Sequence, residues 1–204
     1  MYAFFSSGNK DVLKVLNKIL AAVIAVFWAA FLGGFAYIGL EKKLVYPLTY
    51  QDEIFTAAEK YDLDAALLFS VARVESSFKP YAVSVRGAKG LMQILPSTGD
   101  YIAAKKGITD YDLFDVQTNV DFGAYYLKYL YGRFKEFTET AAAYNAGEGT
   151  VGGWLKNPEY STDGIHLNKI PYGETERYVK KIYESLKRYR KLYGKLLDKK
   201  KKFG

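Results

Sequence analysis

Residues 75–98 read ESSFKPYAVSVRGAKGLMQILPST, and the run that leads into them, residues 64–76, reads DAALLFSVARVES. The leading run puts Leu67, Val71 and Val74 on one helical face with Leu68 and Ala72 beside them, and Asp64 stands where an N-cap belongs. It predicts a buried helix. Pro80 has no N–H with which to continue that helix and biases Lys79 toward extended backbone, so Glu75 falls in the last turn, where the chain leaves. Gly87 and Gly90 then bracket Ala88 and Lys89, and an apolar run of Leu91, Met92, Ile94 and Leu95 closes at Pro96. Glycines so placed permit a tight turn or a close backbone approach. This much backbone constraint next to one carboxylate predicts an active-site loop. With Val74 and Phe78 for neighbours, the protonated form of Glu75 is favoured by desolvation, which is the state a general acid needs. The plainer reading of such a residue is a solvated carboxylate at a helix end.

Composition narrows the chemistry. The 204 residues suffice for one well-packed domain and an appendage. Half of them are hydrophobic and 17% are aromatic, which excludes a disordered chain. The absence of cysteine excludes disulfides, thiolate zinc sites and a lipid-modified cysteine anchor. The single histidine, His166, excludes an HExxH site, so neither a metal nor another cofactor is expected. The net charge of +7 suits an anionic polymer or membrane surface. No zinc-finger, RNP or Walker pattern accompanies it, and nucleic acid is not an expected partner.

Outward from the central stretch, Ile19 to Leu40 is free of charged residues for 22 positions. At the helical rise this makes about 33 Å, enough to cross a bilayer core of about 30 Å. It exceeds the usual apolar core of a signal peptide, and Gly34-Phe35-Ala36 is a poor cleavage match, so an uncleaved signal anchor is expected. Lys10, Lys14 and Lys18 precede it; the positive-inside rule assigns residues 1–18 to the cytoplasm and the rest to the outer side of a bacterial inner membrane. Residues 41–49 form a tether.

Beyond the tether the pattern is helical throughout. Ile54, Ala57, Ala58 and Tyr61 share one face, and a helix is expected over residues 97–106 with Gly107 as its stop. Asp115 caps a helix from Val116 to about Lys135 that carries Val120, Ala124, Leu127, Leu130 and Tyr131 as its stripe. A short helix ends at Tyr144-Asn145, residues 147–173 read as glycine-rich loop, and a helix resumes from Glu174 to Tyr193. The fold class is all-α, with at most a small β excursion within residues 81–89, preceded by one transmembrane helix. The domain spans residues 50–194 and a basic tail residues 195–204, whose part after Leu197 is expected to be disordered.

The central stretch resembles the lytic transglycosylases of the goose-lysozyme-like superfamily. Glu75-Ser76, Phe78, Pro80, Ala82, Ser84, Gly90-Leu91-Met92-Gln93-Ile94, Pro96 and Thr98 match in order without a gap. A second block follows in Leu113, Asp115, Asn119, Val120, Gly123, Tyr126 and Leu127, with Val116 where a proline is common. Ala142-Ala143-Tyr144-Asn145-Ala146-Gly147 looks like the third block. Pro171, Glu174, Thr175, Arg177, Tyr178 and Val179 look like the last, with Arg177 one place late. The resemblance covers about residues 50–190.

The resemblance implies a lysozyme-like fold and cleavage of the β-1,4 bond between N-acetylmuramic acid and N-acetylglucosamine in peptidoglycan. Glu75 would act as sole general acid and base and leave 1,6-anhydro ends. It implies that Ser84 and Tyr144 orient the Glu75 carboxyl. Gly90, Gln93, Asn119, Asn145, Glu174 and Tyr178 would contact the glycan. Trp154, in the glycine-rich loop, is the preferred stacking platform among Tyr101, Tyr111, Tyr125 and Tyr172. Plainer roles stand beside these: core for Tyr144, a helix C-cap for Asn145, a dipole-favoured charge for Glu174. A hydrolytic muramidase of the same fold would need a second carboxylate, drawn from Asp121, Glu139, Glu148 or Glu174. A non-catalytic glycan-binding scaffold, with cell-wall assembly proteins as partners, is the third possibility.

Overall fold

A computed structural model describes residues 4–202. Residues 1–3 and 203–204, on which part of the expected cytoplasmic start and basic tail fall, lie outside the described residues. The chain forms two compact units, one ending at Pro47 and one beginning at Leu48.

The first unit is a single helix, α1 (Phe4–Leu40), continued by a wider π-type turn, Glu41–Val45. The stretch Val12–Val45 is long and apolar enough to cross a membrane, and none of it is buried by protein. The helix therefore begins well before Ile19: the polar start expected for residues 1–18 is helical from Phe4 onward.

The second unit holds α2 (Gln51–Lys60), α3 (Ala65–Ser76), α4 (Pro96–Lys106), α5 (Val116–Phe134), α6 (Phe137–Ala146), α7 (Glu148–Leu155) and α8 (Gly173–Lys202). Helix α3 is its centre. Asp64 caps it by accepting the Ala66 N–H at 2.7 Å, and Leu68, Phe69, Val71 and Ala72 are buried. Leu67 and Val74 are half-buried, so burial reaches more than the one stripe that the spacing singled out. α8 lies along α3: Tyr189 stacks on Phe69 with centroids 5.5 Å apart, and Arg190 closes an ion pair on Asp64 at 2.5 Å.

Three expectations are corrected. Residues 148–155, read as loop because of their glycines, form α7, since Val151 and Trp154, one turn apart, bury against Leu130, Phe134 and Val179. Tyr131, placed on the α5 stripe, is exposed. The end after Leu197 is not a disordered tail over its described part: α8 continues to Lys202.

The only β structure among the described residues is a pair of isolated antiparallel bridges, Val83 with Lys89 and Lys89 with Ile94. This is the small excursion expected within the loop that follows α3.

Candidate active site

The chain leaves α3 abruptly. Ser77 and Phe78 adopt left-handed φ of 52° and 61°, and their N–H groups return to the carbonyls of Arg73 and Ala72. Two consecutive non-glycine residues in that region cost energy. Burial of Phe78 against Phe69, with centroids 6.4 Å apart, offsets it. The result holds Glu75 at the end of a rigid element.

The following loop is tied to three helices. Ser76 Oγ donates to the Leu91 carbonyl at 2.8 Å from α3. From α5, Asn119 accepts the Met92 N–H at 2.7 Å and donates to the carbonyls of Lys89 and Leu113. From α6, the Tyr144 hydroxyl donates to the Met92 carbonyl at 2.8 Å. Asn119 is 1% exposed and spends its amide wholly on backbone, so it holds the loop and does not face substrate. Gly90 has the same explanation. Its φ is +79°, and a Cβ there would lie 2.2 Å from Asn119 Nδ2 and 2.3 Å from the Leu113 carbonyl. The close approach it permits is to protein, where a saccharide was expected.

Glu75 is half-buried. Its Oε1 accepts a hydrogen bond from the Tyr178 hydroxyl of α8 at 2.7 Å. Burial raises its pKa to about 7, and the Tyr178 hydrogen bond works in the opposite sense without cancelling that rise. The phenols of Tyr144 and Tyr178 are held well above their ordinary range by burial and then by the nearby Glu75 charge. Both therefore remain protonated near neutral pH, and Glu75 accepts from one of them, that of Tyr178.

The orienting pair expected from sequence thus changes membership. Ser84 Oγ accepts the Ala88 N–H at 3.0 Å and shapes the turn of its own loop. Tyr178, expected to contact glycan, is the residue whose hydroxyl reaches the Glu75 carboxyl. Tyr144 spends its hydroxyl on the loop and is near enough to Glu75 for the carboxylate charge to raise its phenol. Gln93, with φ of 50°, gives its amide N–H groups to the Ala82 and Gly90 carbonyls and keeps Oε1 as an acceptor. Asn145 accepts the Thr175 hydroxyl on Oδ1 at 2.8 Å. Glu174 is exposed in the first turn of α8. Trp154 is 7% exposed and belongs to the core, with Tyr172, 57% exposed, set edge-on to it at 5.0 Å. The outer ring is Tyr172, so the stacking face expected of Trp154 is covered.

Thr175 went unnoticed as a partner of the site, although it stands one turn before Tyr178 on the buried face of α8. A hydroxyl pair interrupting an otherwise apolar stripe is the signal that marks it.

Residues 52–166 match the family model described as Transglycosylase SLT domain, more than half of the chain. The chain belongs to the SLT-domain transglycosylases. It is 35% identical over 155 residues to the soluble lytic murein transglycosylase of Salmonella typhimurium, which takes in 73% of this chain and 24% of that protein. It is 32% identical over 160 residues to the membrane-bound lytic murein transglycosylase C of Pectobacterium atrosepticum, over 66% of this chain and 45% of the relative. The chain thus spans about a quarter of the length of the soluble relatives and under half that of the membrane-bound ones. Among solved structures, the 70 kDa soluble lytic transglycosylase of Escherichia coli superposes with a TM-score of 0.66 at 32% identity, over 81% of this chain and 28% of that one. An inactive Glu-to-Gln mutant of the lytic transglycosylase Slt from Pseudomonas aeruginosa gives 0.64 at 28% identity, over 74% and 25%. The SLT match ends before α8, yet α8 supplies the hydroxyl on Glu75.

Proposed function

We propose that this protein is a membrane-anchored lytic transglycosylase that cleaves the β-1,4 bond between N-acetylmuramic acid and N-acetylglucosamine in peptidoglycan, with Glu75 as the sole acid and base. The observation that carries the reading is a half-buried carboxyl at the end of α3 that accepts the Tyr178 hydroxyl on Oε1, where burial pushes its pKa up to about 7. Such a group exchanges its proton readily near neutral pH, as a residue that acts first as acid and then as base must. With Oε1 engaged by Tyr178, the transferable proton resides on Oε2.

In the proposed reaction Glu75 protonates the glycosidic oxygen as the C1–O4 bond breaks, and the substrate's N-acetyl group stabilises the cationic centre. The carboxylate then takes the proton of the muramic acid C6 hydroxyl, whose oxygen attacks C1. One C–O bond is lost and one gained, no water is consumed, and Glu75 ends protonated. Three of the other carboxylates considered for positioning a water are engaged elsewhere. Asp121 is paired with Lys60 and Lys106 and accepts from Tyr61. Glu139 is buried and accepts the Leu167 N–H. Glu148 accepts from Tyr129 and faces Arg133. Glu174 is exposed at the start of α8.

We assign α1 as a single-pass anchor in the bacterial inner membrane with the catalytic unit on the periplasmic or outer side. The unburied stretch Val12–Val45 and Lys10, Lys14 and Lys18 at its N-terminal end support this. The deciding experiment is mass spectrometry of the fragments released from purified sacculi, with Glu75→Gln as control. Anhydro-ended fragments, one water lighter than hydrolysed ones, establish the transglycosylase; reducing-end fragments would make it a muramidase, and none at all, with sacculi bound, a scaffold.

A further inference from the structure

The positive charge of this protein is unevenly placed. Residues 48–186 hold 15 Lys and Arg against 19 Asp and Glu, whereas residues 187–204 hold nine against one. That excess falls on the later turns of α8. Lys187, Lys191 and Lys195 follow one another at four-residue steps and are exposed, and the spacing continues to Lys199 and Lys202. Residues three or four apart share a helix face, so the five form one row about 22 Å long. Elsewhere in the second unit lysines close on carboxylates: Lys60 and Lys106 on Asp121, Lys128 on Asp62, Lys169 on Glu159. Lys187, Lys191 and Lys195 make no ion pair among the described residues. Like charges at this spacing repel and weaken a helix. Attraction to the helix dipole offsets that only within the last turn, which leaves Lys187, Lys191 and Lys195 uncompensated. A row that costs the helix stability and is answered by nothing in the fold calls for an anionic partner.

The first unit decides which one. Residues 46–50 are all that separates the π-type turn from α2, so a bilayer that holds α1 is present at high local concentration for the groups of the second unit. A wall polymer has no such advantage. We propose that the lysine row of α8 is a docking face for anionic lipid headgroups, a second contact between this protein and the membrane. The attraction of such a surface reaches about 10 Å at moderate salt, so the row as a whole reads it and no single pocket is required. α8 joins this face to the site: Tyr178, which holds Glu75, lies about 20 Å along the helix axis from Lys191. Docking of the row therefore fixes the direction in which Glu75 faces away from the bilayer. The choice of lipid as partner rests on the reading of α1 as an anchor, and not on the reaction assigned to Glu75.

The chain has no cysteine, and a Cβ at Gly194 meets nothing within 4 Å, so Gly194→Cys gives one labelling position within the row. The full-length chain with a fluorophore there is placed in nanodiscs of phosphatidylcholine, alone or with about one third phosphatidylglycerol, each carrying a lipid-borne quencher. Quenching is expected to be roughly twofold stronger in the anionic discs and to fall to the neutral level at about 0.5 M salt. Lys187→Gln, Lys191→Gln and Lys195→Gln together abolish the difference, whereas Lys187→Arg, Lys191→Arg and Lys195→Arg together keep it, which separates charge from packing. Equal quenching in the two kinds of disc overturns the proposal, and so does a difference that survives the Gln substitutions. Quenching indifferent to lipid charge, with the row instead retaining soluble poly(glycerol phosphate), makes a wall polymer the partner and overturns it as well. If alkaline carbonate strips the chain from neutral vesicles, the anchor reading fails by itself. The row is then read by flotation of the same chain with anionic and neutral vesicles. An anionic preference lost in the Gln variant and kept in the Arg variant sustains the lipid reading, and any other pattern overturns it.

Discussion

The Tyr178 hydroxyl donates to Oε1 of Glu75 across 2.7 Å, although the two residues are 103 positions apart in the chain. Burial and this hydrogen bond pull the carboxyl in opposite directions, and burial prevails, leaving it at about 7. In the proposed reaction Glu75 acts as the general acid and must be protonated before the first step, so kcat/KM is expected to be level at acid pH and to fall above about pH 7. Replacing Tyr178 by Phe removes the interaction that favours the charged form. The alkaline limb should therefore move to higher pH, while the rate on the plateau drops on the order of tenfold as the carboxyl loses its orientation. A pH–rate profile of both proteins decides it; a limb that moves downward, or stays in place, removes Tyr178 from control of Glu75.

A raised carboxyl pKa is also a statement about stability. The unfolded carboxyl ionises from about pH 4.5, whereas the folded one holds its proton to about 7. The folded state thus loses stability as pH rises between those values, and above the upper one the loss is complete. The gap corresponds to about 3 kcal/mol at most, an upper figure because Glu75 is only half-buried. Glu75→Gln carries no such charge. Its stability relative to the wild type is expected to be near zero at pH 4 and positive, by on the order of 1–3 kcal/mol, at pH 8. Urea denaturation at the two pH values checks this, and an equal difference at both would show that Glu75 is not desolvated in the native state.

Asn119 and Gly90 form one device, and their substitutions should not add. Asn119→Ala takes their partner from the Met92 N–H and the Leu113 carbonyl, while the Lys89 carbonyl keeps the Ile94 N–H. Its cost is expected at about 2–4 kcal/mol. Gly90→Ala drives a methyl into the same amide from a left-handed backbone position, at a similar cost. Because both break the same contact, the double variant should lose clearly less than the two single losses combined. Full additivity in thermal or urea melts would mean that the two residues act at separate places.

The helices of the second unit were legible wherever a local signal fixed them. Asp64 and Asp115 both accept N–H groups at helix starts, and Gly107 ends α4 with φ of 67°. Pattern reading failed at α7, where a run rich in glycine is helical because Val151 and Trp154 bury against elements distant in sequence. It failed in the same way on Trp154, which is core, and on the end of α8. For the site, Glu75 was legible because the abrupt exit from α3 is written in adjacent residues. The assignment of hydroxyls to it was not. Ser84 lies nine positions from Glu75 and turns back on its own loop, whereas Tyr178 arrives on another helix, a pairing that no local spacing encodes. Asn119 and Gly90 look alike as glycan contacts or as loop fasteners until the distance between them is known.

The SLT family match stops at residue 166, which invites the view that α8 is dispensable. Its contacts argue otherwise. Tyr178, Val179, Ile182, Leu186 and Tyr189 are buried, Tyr189 is stacked on Phe69 in α3, and Val179 shares the core cluster with Trp154. Removing α8 would expose one side of the central helix, a loss of five buried side chains each worth roughly 1.5–3 kcal/mol, which is comparable to the whole 5–15 kcal/mol that typically separates a folded domain from its unfolded chain. Residues 48–170 alone are expected to lack a cooperative melt and to bind ANS, while residues 48–204 melt in one transition. Circular dichroism melts of the two fragments measure this directly. A cooperative transition in the shorter one would show that α8 is an addition to a self-sufficient domain, on which the fold does not depend.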